Sequence, residues 1–269
     1  MKKLTIVIGL GLMLFNLTAC NVKNESIARE NRADIFLEAD KIVFLGDSIT
    51  EAGTQEGGYI WLLQRYLQEL YPDRQFELIN AGISGNKSVQ MRQRFQEDVL
   101  AKNPDVLFIN VGVNDVWHSF YDFGEYKNYP EGNLPGGNSL EQYRLDLVEM
   151  LSLAREQNIE VILLSPTPIR ENLDSTENQR LVNYIAVMQA IATENNSLFI
   201  NLNQPFHEII NAYQKYAGMT QNILTNDGVH PNKAGYRVIA YTILKDLGIS
   251  EERLKNLRVE GCIGVLCED

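Results

Sequence analysis

Val43-Phe44-Leu45-Gly46-Asp47-Ser48-Ile49-Thr50 is the stretch whose reading decides the fold. The apolar run 42–45 reads as a buried strand, and it ends abruptly in small polar residues. A glycine at its end permits a tight turn that residues with a Cβ resist. Ser48 then stands just past the carboxyl end of the strand, the edge at which open α/β sheets bind ligands. A serine placed there acts as a nucleophile when a histidine reaches it. Alternatively, Asp47 or Ser48 only caps the next helix. The rest of the chain bears on that choice.

Working outward, further strands are expected at 76–80, 106–111, 161–164 and 198–202, and the β-branched run after Pro104 suits a strand buried on both faces. Helical patterns lie between them. One covers 59–71 and stops at Pro72. A second reaches from an N-cap at Ser88 to about residue 102. A third is opened by a capping-box pattern, Ser139 and Gln142. Others cover about 178–194 and 232–246, and Pro205 marks the first turn of one more. Strands alternating with helices of this length mean βαβ units and a parallel sheet. The expectation is a single three-layer α/β/α domain over 33–258, followed by a tail, 259–269.

The chain has 269 residues, 45% of them hydrophobic, enough for one large domain or two small ones. A formal charge of −11 argues against nucleic acid as a partner, because phosphate binding needs a basic face. Lys2 and Lys3 precede an apolar run, 4–17, too short to be a comfortable membrane span. The run ends in Leu17-Thr18-Ala19-Cys20, which resembles the bacterial lipobox. That resemblance implies a lipoprotein signal peptide over 1–19, cleavage before Cys20, acylation of its thiol, and a polar tether over 20–32. An ordinary signal peptide with an incidental cysteine is the alternative. The expectation is a monomeric, lipid-anchored protein of the bacterial cell envelope, with its folded domain outside the cytoplasm and membrane contact through the anchor only. Cys262 and Cys267 are then expected to pair as a small terminal loop, with two free thiols as the alternative.

A serine nucleophile needs a base, and histidine suits neutral pH. There are three histidines. His207 lies inside a helical pattern, and His118, at the start of an aromatic segment, has no carboxylate in an orienting register. His230 follows Asp227 by three residues, a spacing that lets the carboxylate hold one ring nitrogen and fix the tautomer. Attack on an ester also needs donors for the oxyanion. Gly85 can offer a bare backbone N–H and Asn114 a side-chain amide; a turn glycine and an Asx turn are the plainer alternatives. Asp115 reads as local support.

Together, Gly46-Asp47-Ser48, Gly85 within Asn80-Ala81-Gly82-Ile83-Ser84-Gly85-Asn86, Gly112-x-Asn114-Asp115 and Asp227-Gly228-Val229-His230-Pro231 resemble the four blocks of the SGNH hydrolases, also called GDSL esterases and lipases. The resemblance covers about residues 41–245. It implies a flavodoxin-like, five-stranded parallel sheet of order 2-1-3-4-5 and ester hydrolysis without metal or cofactor. It also implies Ser48, Asp227 and His230 as catalytic residues, with Ser48, Gly85 and Asn114 supplying the oxyanion donors. The first block reads Gly-Asp-Ser-Ile here rather than Gly-Asp-Ser-Leu.

Other chemistries fit poorly. Gly85-Asn86-Lys87-Ser88 lacks the glycine spacing of a phosphate loop. No Gly-x-Ser-x-Gly elbow is present, and no His-Glu-x-x-His or cysteine cluster suggests zinc. The segment 116–138 mixes aromatics with glycines and charged residues. Trp117 and Tyr121 are its candidate substrate residues, unless it is only a covering loop. Its polar character points to a small-molecule or glycan ester with a short acyl group, such as an O-acetylated carbohydrate. The alternatives are a lipase- or lysophospholipase-type acylhydrolase, a transferase that uses a sugar hydroxyl, or an envelope binding protein without turnover.

Overall fold

In the computed structural model the described residues are 35–259 together with 262–263 and 266–267. The signal peptide, Cys20, the tether, and the Cys262 and Cys267 side chains lie outside them.

Five strands form one parallel sheet: β1 (Lys41–Gly46), β2 (Glu77–Gly82), β3 (Val106–Asn110), β4 (Glu160–Leu164) and β5 (Leu198–Ile200). Their spatial order is β2-β1-β3-β4-β5 with every neighbouring pair parallel, as expected. Helical segments make the crossovers that parallel neighbours require: single helices of 12, 17 and 19 residues after β1, β3 and β4, and a broken helix after β2. Helix α1 (Tyr59–Leu70) packs against α6 (Lys233–Asp246), and α5 (Asn203–Ala217) packs against α6. The other set is α2 (Ser88–Gln93), α3 (Leu140–Glu156) and α4 (Thr176–Glu194), each packed on the next. The sheet between the two sets is the core: all five residues of β3 are buried, and so are Ile42, Val43, Phe44 and Leu45. Phe44 lies opposite Phe108 in register, and their rings stack at 4.8 Å, tying β1 to the centre of the sheet.

Two local expectations are corrected. Ser88 is not an N-cap but the first residue of α2, because its N–H and hydroxyl are turned onto Asp115. The helix from Ser88 does not run to residue 102. It breaks at Arg94 (φ −100°, ψ 6°), resumes as Phe95–Asp98 and ends in a 3₁₀ turn, Leu100–Lys102. At the break the Arg94 guanidinium donates to Gly46 O (3.0 Å) and Asn86 Oδ1 (2.8 Å) and pairs with Asp98 (2.6 Å). Tertiary hydrogen bonds to the end of β1 and to the loop after β2 outweigh continuous helix here. At α3 only half of the capping box forms: Ser139 Oγ accepts from Gln142 N, but the Gln142 amide reaches Asp146. No described helix is long and apolar enough to cross a membrane.

Candidate active site

The apolar β1 delivers the chain to the carboxyl edge of the sheet at Gly46, where a Cβ would collide with the Thr50 side chain. The backbone then turns directly into a one-turn helix, Ser48–Glu51. The Asp47 carboxylate caps it, accepting from Ile49 N at 3.0 Å, so the capping role belongs to Asp47 and Ser48 Oγ is left for other contacts.

Its contact is His230, 182 positions away in the chain: Ser48 Oγ lies 2.9 Å from Nε2. On the other ring nitrogen, Nδ1 is 2.7 Å from Asp227 Oδ2. Asp227 Oδ1 meanwhile accepts from the N–H groups of Val229 (2.9 Å) and His230 (2.8 Å). Partial burial pushes the Asp227 carboxyl up, but the His230 and Val229 donors outweigh it and hold the group below its ordinary value. An ionised Asp227 accepts a hydrogen bond from Nδ1–H and leaves Nε2 with a lone pair toward the serine. The loop is closed at its base by Asn226 N to His230 O, Asn232 N to Leu224 O and a bridge between Thr225 and Pro231.

The second and third loops flank the serine. Gly85 has φ +78°, a conformation that favours glycine, and a Cβ there would meet open space. Neither the Ser48 nor the Gly85 N–H finds a partner among the described residues. Asn114 is buried on a one-turn helix, Val113–Trp117, that follows β3. Its Nδ2 donates to Asn86 O at 3.1 Å and makes a long contact of 3.4 Å with Asp47 Oδ2. So weak a second bond leaves that hydrogen available to a developing negative charge. Burial raises the Asp47 carboxyl to about 7, with nearby Asp115 adding to the rise, while the Ile49 N–H and His230 oppose it.

The aromatic segment lies against the histidine. The Trp117 ring stands edge-on to His230 at 6.5 Å and stacks on Tyr121 at 5.5 Å. The Trp117 indole N–H is buried without a partner among the described residues. His118 packs edge-on to Phe123 at 4.8 Å, and burial, with Lys87 adding, lowers it to about 4, so it is neutral across the working range. No described contact joins His118 or His207 to the serine. On the open side runs a groove of about 810 Å³, lined by Ser48 and His230 together with Glu51, Gln55, Asn226 and Lys233. No group of three or more His, Cys, Asp or Glu among the described residues could hold a metal ion.

Three supports of the site have no role assigned by the sequence beyond Arg170's reading as a substrate contact or a solvated loop residue. Glu171, 3% exposed, accepts from Ile223 N, Leu224 N, Thr225 N and Thr225 Oγ1, each at 2.8 Å, and so fixes the strand of loop that leads to Asp227. Arg170, at φ +62°, donates from its backbone N to Gly228 O, while its side chain holds Asn128 and pairs with Glu177 at 3.3 Å. Glu51 accepts from Ser84 N at 2.9 Å and from the Ser84 hydroxyl, next to Gly85. Nothing in the local sequence marks these residues, since each joins its loop to a partner 33 or more positions away.

Comparison with known proteins agrees with this geometry. Residues 44–238 match the model of the GDSL-like Lipase/Acylhydrolase family. An acetylxylan esterase of Geobacillus stearothermophilus is 31% identical over 220 residues, covering 78% of this chain and 94% of that enzyme. Its crystal structure superposes with a TM-score of 0.66 over 78% of this chain and 95% of that one. In three variants described as catalytic mutants of that enzyme, alanine replaces a serine, an aspartate or a histidine. The acetyl xylan esterase AlAXEase, 33% identical, covers 76% of this chain and 98% of its own, with a TM-score of 0.64. An uncharacterized lipoprotein of Bacillus subtilis, YqeF, is 33% identical over 95 residues, 35% of this chain and 34% of that protein. This chain belongs to the GDSL-like lipase/acylhydrolase family and is a carboxylic ester hydrolase.

Proposed function

We propose that the chain is a serine esterase that removes acetyl groups from O-acetylated carbohydrate, with Ser48 as nucleophile, His230 as general base and acid, and Asp227 as the carboxylate that orients it. The observation that carries this reading is the continuous contact Ser48 Oγ–His230–Asp227, at 2.9 and 2.7 Å. Nε2 takes the serine proton as Oγ attacks the ester carbonyl. The Ser48 and Gly85 N–H groups and the Asn114 amide receive the oxyanion. His230 then protonates the departing sugar hydroxyl. Water, deprotonated by the same nitrogen, releases acetate and regenerates the serine. Asp227 supports the imidazolium throughout and stays ionised.

The acetyl and carbohydrate parts of the reading are supported by the two acetylxylan esterases among the relatives, by the polar groove, and by the aromatic wall of Trp117 and Tyr121, on which a sugar face stacks. A long acyl chain would find charged and amide side chains along that groove instead of an apolar slot. We further read Cys20 as the acylated residue of an envelope lipoprotein and the protein as a monomer. Cys262 and Cys267 lie opposite each other in an antiparallel pair, a register that supports a disulfide.

The test is a rate series on p-nitrophenyl esters of increasing chain length, alongside acetylated xylo-oligosaccharide. Acetyl should be the fastest acyl group and free acetate should appear from the oligosaccharide. Ser48→Ala should stay folded and lose nearly all turnover. A fully active Ser48→Ala protein removes the nucleophile assignment, and faster cleavage of long chains removes the acetyl specificity.

A further inference from the structure

Behind the oxyanion loops lies a buried cluster that the mechanism above does not use. Ser88, Asp115 and Asp146 are all fully buried, and they come from α2, from the helix bearing Asn114 and from α3. Ser88 Oγ stands between two carboxylates, 2.7 Å from Asp115 Oδ1 and 2.9 Å from Asp146 Oδ2. It also accepts from Asn138 Nδ2 at 3.0 Å. A hydroxyl has one hydrogen and two lone pairs. With Asn138 on one lone pair, Ser88 can donate to only one carboxylate. The other contact is a hydrogen bond only if that carboxyl carries the proton. A buried polar group left unsatisfied is costly, so the geometry demands one proton more than two ionised aspartates would hold.

The surroundings say which carboxyl holds it. Asp146 Oδ1 already faces a cation and a donor, pairing with the Arg92 guanidinium at 2.8 Å and accepting from the Gln142 amide at 2.9 Å. Among the described residues Asp115 has no cation in contact. Its partners are the Ser88 N–H (3.1 and 3.3 Å), the Ser88 hydroxyl and the Asn138 amide (2.9 Å). The groups facing it are Asp47 beyond β1, Tyr143 and Asp146 on α3, Tyr184 on α4, and Lys87, whose Nζ is engaged with Gly136 O. We propose that Asp115 is a neutral carboxylic acid that donates to Ser88, which donates in turn to ionised Asp146, and that this one-proton chain is the positioning device of the oxyanion hole. Hydrogen-bond accounting then closes: Ser88 Oγ accepts twice and donates once.

The positioning role follows from what the chain connects. Asp115 is adjacent to Asn114. Ser88 opens α2 directly after the loop that carries Gly85, and Asn114 Nδ2 is bonded to Asn86 O in that same loop. Both donor-bearing segments are thus fixed against one buried acid. Burial raises Asp115, against the opposing pull of its Ser88 and Asn138 hydrogen bonds. A carboxyl raised in the folded state contributes stability below its unfolded value and loses it as pH rises, so the clamp weakens toward alkaline pH. The inference rests on the esterase reading for its kinetic arm only.

The test joins infrared spectroscopy with kinetics on Asp115→Asn and Ser88→Ala, folding being checked by circular dichroism. The wild-type-minus-Asp115→Asn difference spectrum at pH 7 should contain the carbonyl band of a protonated carboxylic acid. The introduced amide restores a neutral donor to Ser88 but cannot accept from Ser88 N–H and Asn138 as Oδ1 does, so kcat of Asp115→Asn on p-nitrophenyl acetate should fall less than that of Ser88→Ala and lose the alkaline decline of the parent. Ser88→Ala breaks the chain and should lower kcat by about 10²-fold at nearly constant KM, the loss expected for a misplaced oxyanion donor. Absence of the band, or wild-type kcat in Ser88→Ala, overturns the proposal. The infrared arm needs no substrate, so failure of the acetyl-ester reading would leave it intact.

Discussion

Replacing Glu171 by glutamine tests whether the catalytic loop is held from behind. In the native protein Oε1 accepts three hydrogen bonds, from Leu224 N, Thr225 N and Thr225 Oγ1, and Oε2 accepts one from Ile223 N, all at 2.8 Å. Glutamine has one acceptor oxygen. Placed on the three-donor side, it turns an NH₂ against the Ile223 N–H. That buried donor is orphaned at a cost of about 2 kcal/mol, and three charge-assisted bonds become neutral ones at roughly 0.5–1 kcal/mol each. The sum is about 4 kcal/mol, which for a domain of this size lowers Tm by roughly 8–16 °C. The loop should also shift, because Asp227 follows Thr225 by two residues, and a misplacement of about 1 Å costs roughly 10²-fold in rate. Urea unfolding gives the first quantity and p-nitrophenyl acetate kinetics the second. Glu208→Gln, on an exposed face of α5, is the control that should move neither. If Glu171→Gln stayed within about 0.5 kcal/mol of wild type, the range of an ordinary surface change, and kept full kcat, the buried-carboxylate argument would be wrong.

Asn114→Ala should lower kcat by roughly 10²–10³ with little change in KM, since the amide acts on the oxyanion and not on the ground-state ester; steady-state kinetics separate the two parameters. Asp47, raised by burial to about 7 from an ordinary 3.8, contributes stability below its unfolded value that is lost as pH rises through about 7. Asp47→Asn should therefore gain stability on the parent between pH 5 and pH 8, as measured by urea midpoints. His118, lowered to about 4 from 6.5, acts in the opposite sense: its stability is present above 6.5 and lost as pH falls toward 4. His118→Phe should lower the acid sensitivity of Tm, read by calorimetry from pH 7 to 4.

Much of the architecture is written locally. The five apolar runs, broken by glycine, proline and small polar residues, mark the strands to within two residues at each end. The loops carrying Ser48, Gly85 and Asn114 each follow a strand and the Asp227–His230 loop precedes the last long helix, an order that lets them share one sheet edge. What could not be read depends on distance. The break at Arg94 is set by an acceptor on β1, 48 positions earlier. Ser88 looks like a cap because serine before a helix usually is one, and only the position of Asp115 in space says otherwise. Glu171 and Arg170 resemble solvated loop residues because charge carries no signature of burial when the compensating donors come from another loop.

Arg170 has one more consequence. Its backbone reaches the carbonyl of Gly228 while its guanidinium spans Glu177 on α4 and Asn128 on the two-stranded antiparallel ribbon, Tyr121–Asp122 with Lys127–Asn128, of the aromatic segment. The ribbon beside Trp117 and the loop carrying the base are therefore fastened to one rivet. Grafting a foreign ribbon to retune selectivity would unseat that fastening unless the transplant brought an acceptor for the guanidinium with it. Swaps that carry the asparagine should keep catalytic competence where bare swaps lose it.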